Sequence, residues 1–146
     1  MRTYFDHEKL NVYQVALELN GWVGALLAVI EAKAAAKDQL DRAATSIPLN
    51  IAEGNGKFSQ RDRTRFFDIA RGSALEAAAS LDVLVSRNLT TQEQVSPAKE
   101  QLVQIVNVLM GLLKRLGYDF KSGTAVVREG VDSSFSSEQE QEQQKE

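Results

Sequence analysis

The residues best suited to do chemistry in this chain are basic side chains that follow its central glycines. Five of them stand against two aspartates between positions 57 and 71, namely Lys57, Arg61, Arg63, Arg65 and Arg71. Arg61 and Arg65 lie one turn apart if this stretch begins a helix, and a helix N-terminus itself attracts phosphate. The sequence therefore predicts a nucleic-acid-binding patch made of Lys57, Arg61, Arg63 and Arg65. The alternative is a solvated face whose charges pair with neighbouring aspartates.

Side chains that support catalysis or metal binding are scarce in this sequence. It has no cysteine and a single histidine, His7, which excludes thiol nucleophiles, disulfides and zinc–thiolate sites. Arg2 and His7 have the Arg-x4-His spacing of certain helical ribonucleases, but they precede the first predicted helix. A di-iron bundle needs two Glu-x-x-His pairs, and the sequence has none. We therefore expect no enzyme activity, no metal site and no cofactor.

The elements that must position the basic residues are helices, because apolar residues recur three and four positions apart. The first predicted helix covers about 10–31, the second about 35–53, the third begins after Ser59, and the fourth after Thr90 or Thr91. Pro97 moves the expected start of the regular fourth helix towards Ser96. We predict a break at 32–37 from length alone. One helix over 10–53 would span about 65 Å, which is rare in a globular domain. The predicted fold is all-α, an antiparallel up-down four-helix bundle.

The chain divides by composition into a bundle over 1–117 and a tail over 118–146. The tail has three basic and seven acidic residues and is rich in Ser, Glu and Gln, which is typical of disorder. Gly117 is the expected C′ residue of the fourth helix. Thr90-x-x-Glu93 resembles a capping box at its start.

The segment "TSIPLNIAEGNGKFSQ", residues 45–60, has the features of a helix that is interrupted and then ends. Pro48 has no N–H for the carbonyl of Ala44, so we expect a kink there and a hydrogen bond from Thr45 or Ser46 instead. Gly54 and Gly56 are expected to end the helix in left-handed backbone.

Polar side chains also line one side of the second and third helices. An antiparallel hairpin that turns near Gly56 brings these lines together, and Gly72 suggests a close backbone approach. We expect a structural polar and ionic seam there, made of Asp41, Arg42, Asn50, Glu53, Arg71, Ser73 and Glu76. A solvated face is the alternative.

Three segments are distinctive when they occur together in one chain, namely "LNVYQVALEL", "QLDRAATSIPLNIAEGNG" and "FFDIARGSALEAAASLDVL". With them, the chain resembles the four-helix-bundle family of ribosomal intervening-sequence proteins over about 5–116. The most specific part is the ordered recurrence of Ser46-Ile47, Asn50-Ile51-Ala52-Glu53-Gly54, Arg71-Gly72-Ser73-Ala74 and Glu76. Members of this family are encoded within insertions in bacterial large-subunit ribosomal RNA genes and also by free-standing genes.

The resemblance implies a ring-shaped homopentamer with a role alongside nucleic acid. A related accessory protein of diversity-generating retroelements is a basic pentamer that partners a reverse transcriptase. We therefore expect a cytoplasmic homo-oligomer that associates with RNA or DNA and not with a membrane. The alternative is a scaffold that binds another protein and no nucleic acid.

Overall fold

The computed structural model describes residues 2–30, 35–119 and 124–125. A short 3₁₀ helix, Asp6–Lys9, precedes four α-helices, which are α1 (Asn11–Val29), α2 (Ala35–Gly56), α3 (Gln60–Ser86) and α4 (Gln92–Arg115). After α4, strand β1 (Tyr118–Asp119) pairs antiparallel with strand β2 (Thr124–Ala125). The all-α, four-helix prediction is confirmed, and the two short strands are a feature that the sequence pattern did not predict. The rest of the predicted tail lies outside the described residues.

One apolar core lies between the four helices. Each helix contacts the next along the chain, and α1 also contacts α4. The apolar residues of α1 that recur three and four positions apart are buried, and they include Val12, Ala16, Leu19, Val23 and Leu26. Phe67 of α3 is the largest side chain that is fully removed from solvent. The 3.6-residue periodicity of the sequence thus identifies the core faces correctly.

The predicted break between the first two helices is present. α1 ends at Val29, and Ile30 has extended backbone with φ −77° and ψ 124°. α2 begins at Ala35, so the two segments are separate helices instead of one long helix. The start of α2 agrees with the predicted residue, whereas the end of α1 falls two residues early.

The carbonyl that Pro48 leaves without its helical donor is bonded by another helix. Asn20 of α1 donates from Nδ2 to the Ala44 oxygen over 2.8 Å and to the Ala16 oxygen over 2.7 Å. Thr45, which we expected in this role, donates from Oγ1 to the carbonyls of Asp41 and Arg42. The expectation was wrong because the freed carbonyl faces α1, and α2 continues through Pro48 to Gly56.

Gly54 is required for a close approach and not for left-handed backbone. It lies inside α2, and Gly117 is the one glycine with positive φ among the described residues. A Cβ at position 54 would lie 2.9 Å from Cδ1 and Cε1 of Phe67. The prediction that Gly54 and Gly56 end the helix in left-handed backbone is therefore wrong.

The helix ends follow the capping rules with one shift in register. Ser59 accepts a hydrogen bond from the Asp62 N–H and is the N-cap of α3, as predicted. α4 begins at Gln92 with Thr91 as its cap, so the Thr90 capping box is wrong by one residue. Gly117 has φ 83° and follows the C-cap residue of α4, as predicted.

α1 is apolar even on the face that is exposed to solvent. Glu18 is its single charged residue, and it is the one helix in the described part of the chain that is long and apolar enough to cross a membrane by length and composition. Its inner stripe packs in the core. Its outer face exposes mostly small and apolar residues, which include Leu17, Gly21, Gly24, Ala25, Ala28 and Val29.

Candidate nucleic-acid interface

The first turn of α3 holds together one end of the bundle. Arg63 donates from Nη2 to the carbonyl of Asn55 in the last turn of α2, over 3.1 Å. Gln60 donates from Nε2 to the carbonyl of Leu116 at the end of α4, over 2.9 Å. Asn55 also donates to Asp6 of the 3₁₀ helix over 3.0 Å. We call this region, formed by residues 2–9, 53–68 and 114–118, the turn end of the bundle.

Arg63 is not part of an exposed basic patch. Its side chain is only 6 % exposed, because position 63 lies on the same face of α3 as Phe67 and Ala70. Its guanidinium satisfies a carbonyl at the C-terminus of α2, where the helix dipole also favours a cation. Arg63 therefore has a structural role, and the predicted patch loses one of its four members.

Lys57 and Arg65 are held on one aromatic ring. The Lys57 Nζ lies 5.0 Å from the ring centroid of Phe66, and the Arg65 Cζ lies 4.9 Å from the same centroid. At most about 10 Å therefore separates the two cationic groups. Cation–π attraction of this kind restrains a flexible cationic side chain without neutralising its charge.

The acidic partners of these cations are exposed and bind them weakly. Lys57 pairs with Glu53 at 3.6 Å, and Arg65 pairs with Asp62 at 3.9 Å. Exposed pairs of this type contribute at most about 1 kcal/mol and are screened by salt. A phosphate can therefore compete with either carboxylate for its cation.

Arg61 completes the exposed cationic face. Its side chain is exposed and, among the residues that the structure describes, takes part in no ion pair. Arg61 and Arg65 line an open depression of about 520 Å³ on α3, whose lining also includes two aspartates and Tyr118. The structure thus brings Lys57, Arg61 and Arg65 to one surface, and we call these three residues the cationic face.

The contact between α2 and α3 includes a hydrogen-bonded group of neutral polar side chains. The hydroxyls of Ser46 and Ser73 lie 2.8 Å apart across the two helices. Asn50 donates from Nδ2 to the Ser46 hydroxyl over 2.9 Å and to the Ser46 carbonyl over 2.8 Å. The neutral members of the predicted seam, Asn50 and Ser73, therefore meet through Ser46.

The charged residues predicted for the seam do not share this contact. Asp41, Arg42 and Glu76 are exposed. Arg71 pairs with Asp68 of its own helix at 2.9 Å, and Glu53 pairs with Lys57. Gly72 does not mark a close approach, because a Cβ there would meet nothing within 4 Å. Asp41, Arg42 and Glu76 lie outside the contact because the buried residues of both helices are mostly small and apolar.

The exposure of Phe58 separates it from the two other phenylalanines of this region. From the sequence, Phe58, Phe66 and Phe67 are expected in the core or at a subunit contact, and not as base-stacking platforms. Phe67 is fully buried and Phe66 is half-buried, whereas the side chain of Phe58 is 95 % exposed. Its position just before the N-cap Ser59, outside both helical stripes, is the sequence signal that distinguishes it from the other two.

Comparison with known proteins gives one family and one fold. The family model of the 23S rRNA-intervening sequence protein matches residues 8–111. A crystal structure from Bacteroides thetaiotaomicron, described as a protein with unknown function from the S23 ribosomal protein family, is similar with a TM-score of 0.67 and 24 % identity. The match covers 70 % of this chain and 98 % of that chain. The comparison with curated proteins gives no match.

Proposed function

Because the chain belongs to the family of 23S rRNA-intervening sequence proteins, we propose that it is a non-enzymatic, homo-oligomeric bundle that binds structured RNA. The observation that carries the proposal is the cationic face, in which the Phe66 ring holds Lys57 and Arg65 close together. A restrained pair of cations loses less conformational entropy when it binds phosphate than two free side chains do. Arg61 on the same helix adds a third contact.

The turn end also carries further positive charge, which favours the binding of RNA. The last turn of α4 ends in Lys114 and Arg115, and the Leu116 carbonyl that follows bonds to Gln60 of α3. These residues add positive charge beside the region 57–71, where five basic residues stand against two aspartates. Clustered positive charge of this kind attracts a polyanion from a distance and orients it.

A homo-oligomer is proposed because two apolar surfaces lie open on the single chain. The first is the outer face of α1, which includes Leu17, Ala25 and Val29. The second is a groove of about 380 Å³ between α3 and α4, where Leu75 and Val103 are exposed. A closed ring needs two different complementary surfaces on each subunit, and these two apolar surfaces are the candidates for that role.

The pentameric stoichiometry in this proposal comes from the family resemblance. Five copies would place five cationic faces on one particle. Several weak phosphate contacts on one RNA then act together, and the apparent affinity exceeds that of a single face. This is how a chain with an acidic overall composition can bind RNA.

The assembly proposal is tested by light scattering on charge variants. Ala25→Glu on α1 and Val103→Glu in the groove should each lower the particle mass, because either one buries a carboxylate in an apolar contact. Leu49→Glu, at an exposed apolar residue of α2 outside both surfaces, is the control and should keep the mass. An unchanged mass for both test variants would remove these surfaces from the proposal.

RNA binding is tested by fluorescence anisotropy with a labelled structured RNA. The double variant Arg61→Glu/Arg65→Glu should bind more weakly than the wild type, whereas Arg42→Glu should not. Arg42 is a matched control because it is an exposed helical arginine fourteen residues before the end of α2, or about 21 Å along the helix. No binding at low salt by an intact oligomer would favour the protein-interaction scaffold.

A further inference from the structure

We propose that Phe58 is a stacking platform for an unpaired base, so that the turn end selects single-stranded or looped RNA over regular duplex. This inference rests on the proposed function and adds a substrate class to it. A base in a regular duplex is paired and stacked on its neighbours, so its face cannot reach a protein ring.

The backbone around Phe58 is fixed on both sides. The Lys57 N–H donates to the Gly54 carbonyl over 3.3 Å and closes the end of α2. Ser59 accepts from the Asp62 N–H and opens α3. Phe58 therefore belongs to a three-residue turn with anchored neighbours, and an anchored ring binds a base with little loss of backbone entropy.

Packing in the core does not explain why a phenylalanine stands at position 58. Phe67, nine residues further along the chain, is fully buried in the bundle, so the local fold has room for phenylalanine on its inner side. Phe58 is instead almost fully exposed, which is an unfavourable place for an apolar ring in water. Its exposure therefore suggests a ligand with a flat, apolar face.

The charges around the ring favour a nucleotide as that ligand. Lys57 is its direct neighbour in the chain, and the Lys57 Nζ lies on Phe66 beside Arg65. A nucleotide presents a flat base and a phosphate a short distance apart, and the turn presents a ring and cations in the same way. Aromatic rings beside a cationic groove are the usual means by which proteins bind single strands.

Two more exposed rings lie at the same end of the bundle. Tyr4 and Phe5 are 71 % and 66 % exposed, and they directly precede the 3₁₀ helix that Asn55 bonds through Asp6. The Arg2 guanidinium carbon lies 5.3 Å from the Tyr4 centroid, which repeats the combination of cation and ring. The turn end is thus aromatic as well as basic.

The test uses two labelled RNAs with equal numbers of phosphates, a single-stranded oligouridylate and a blunt-ended duplex without a loop. Phe58→Ala and Phe58→Leu should both weaken binding of the single strand by about 5- to 150-fold, since one base–aromatic stack is lost. Binding of the duplex should stay within about twofold of the wild type, since the cationic face is unchanged. Phe58→Trp should retain binding, and its added fluorescence should be quenched by the single strand.

Leucine separates stacking from ordinary apolar contact, because it keeps the apolar bulk and removes the aromatic face. If Phe58→Leu binds the single strand like the wild type, or if both RNAs weaken equally, the stacking proposal is overturned. A lower particle mass for Phe58→Ala would also overturn it and assign the ring to a subunit contact. If Arg61→Glu/Arg65→Glu loses binding while Phe58→Ala does not, the proposed function stands and the stacking platform fails. If the wild type binds neither RNA, both fail.

Discussion

Asn20 of α1 should stabilise the bundle chiefly because α2 contains Pro48. The proline has no N–H, and the Asn20 amide supplies a donor to the Ala44 carbonyl over 2.8 Å. Ala44 is fully buried, so water cannot easily replace that donor. The Ala16 carbonyl, the second acceptor, keeps a helical donor within α1 when the side chain is removed.

The variant Asn20→Ala should therefore lower the free energy of unfolding by about 1–3 kcal/mol, the cost of one buried polar group without a partner. In a Pro48→Ala background the residue at position 48 has an N–H that can bond the Ala44 carbonyl. The same Asn20→Ala change should then cost about 1 kcal/mol or less. From the middle of the first range, about 2 kcal/mol, the coupling between positions 20 and 48 should be about 1 kcal/mol or more, which exceeds the usual error of additivity.

The assay is urea denaturation of the wild type, the two single variants and the double variant at one protein concentration. A fixed concentration is needed because association adds to the apparent stability. Gln39→Ala, at an exposed residue of α2 outside both proposed subunit surfaces, is the control and should change stability by no more than about 0.5 kcal/mol. An equal cost of Asn20→Ala in both backgrounds would refute the reasoning that links this amide to the proline.

Three further changes test the packing and the division of roles at the turn end. Gly54→Ala should lower the free energy of unfolding by about 1–2 kcal/mol, because the new Cβ meets the buried Phe67 ring at 2.9 Å. Gly72→Ala should raise it by up to about 1 kcal/mol, because the space around position 72 is open. Equal effects of the two variants in urea denaturation would contradict this difference. Arg63→Met should lower stability by about 1–3 kcal/mol and leave the affinity for RNA unchanged, and an anisotropy titration that shows weaker binding would return Arg63 to the interface. Ser59→Ala should cost about 1 kcal/mol through loss of the α3 cap, and an unchanged denaturation midpoint would show that the cap is not needed.

The sequence predicts most of the fold because hydrophobic burial determines it. The stripes of α1 and α3 and the Ser59 cap follow from spacing and residue type alone. The bond from Asn20 to Ala44 could not be predicted in this way, since it joins residues 24 positions apart. Gly54 shows the same limit, because its close approach to Phe67 depends on how two helices pack.

The candidate site was only partly predictable for a similar reason. Counting charges identifies the region around Arg61, but it does not tell an exposed arginine from a buried one. Arg63 differs from Arg61 and Arg65 by its angle on α3, and that angle becomes meaningful only when the direction of the core is known. Phe58 is the opposite case, an apolar residue type at a position that the fold leaves in solvent.

The central claim, that the cationic face binds RNA phosphate, is tested most directly by the salt dependence of binding. The measurement is anisotropy with one structured RNA at several salt concentrations, for the wild type and for Arg61→Glu/Arg65→Glu. Each phosphate contact on a single strand contributes about −0.7 to the slope of log Kobs against log salt. The account predicts a steep slope for the wild type and a slope shallower by at least about 1.4 for the variant. Equal slopes for the two proteins would contradict it.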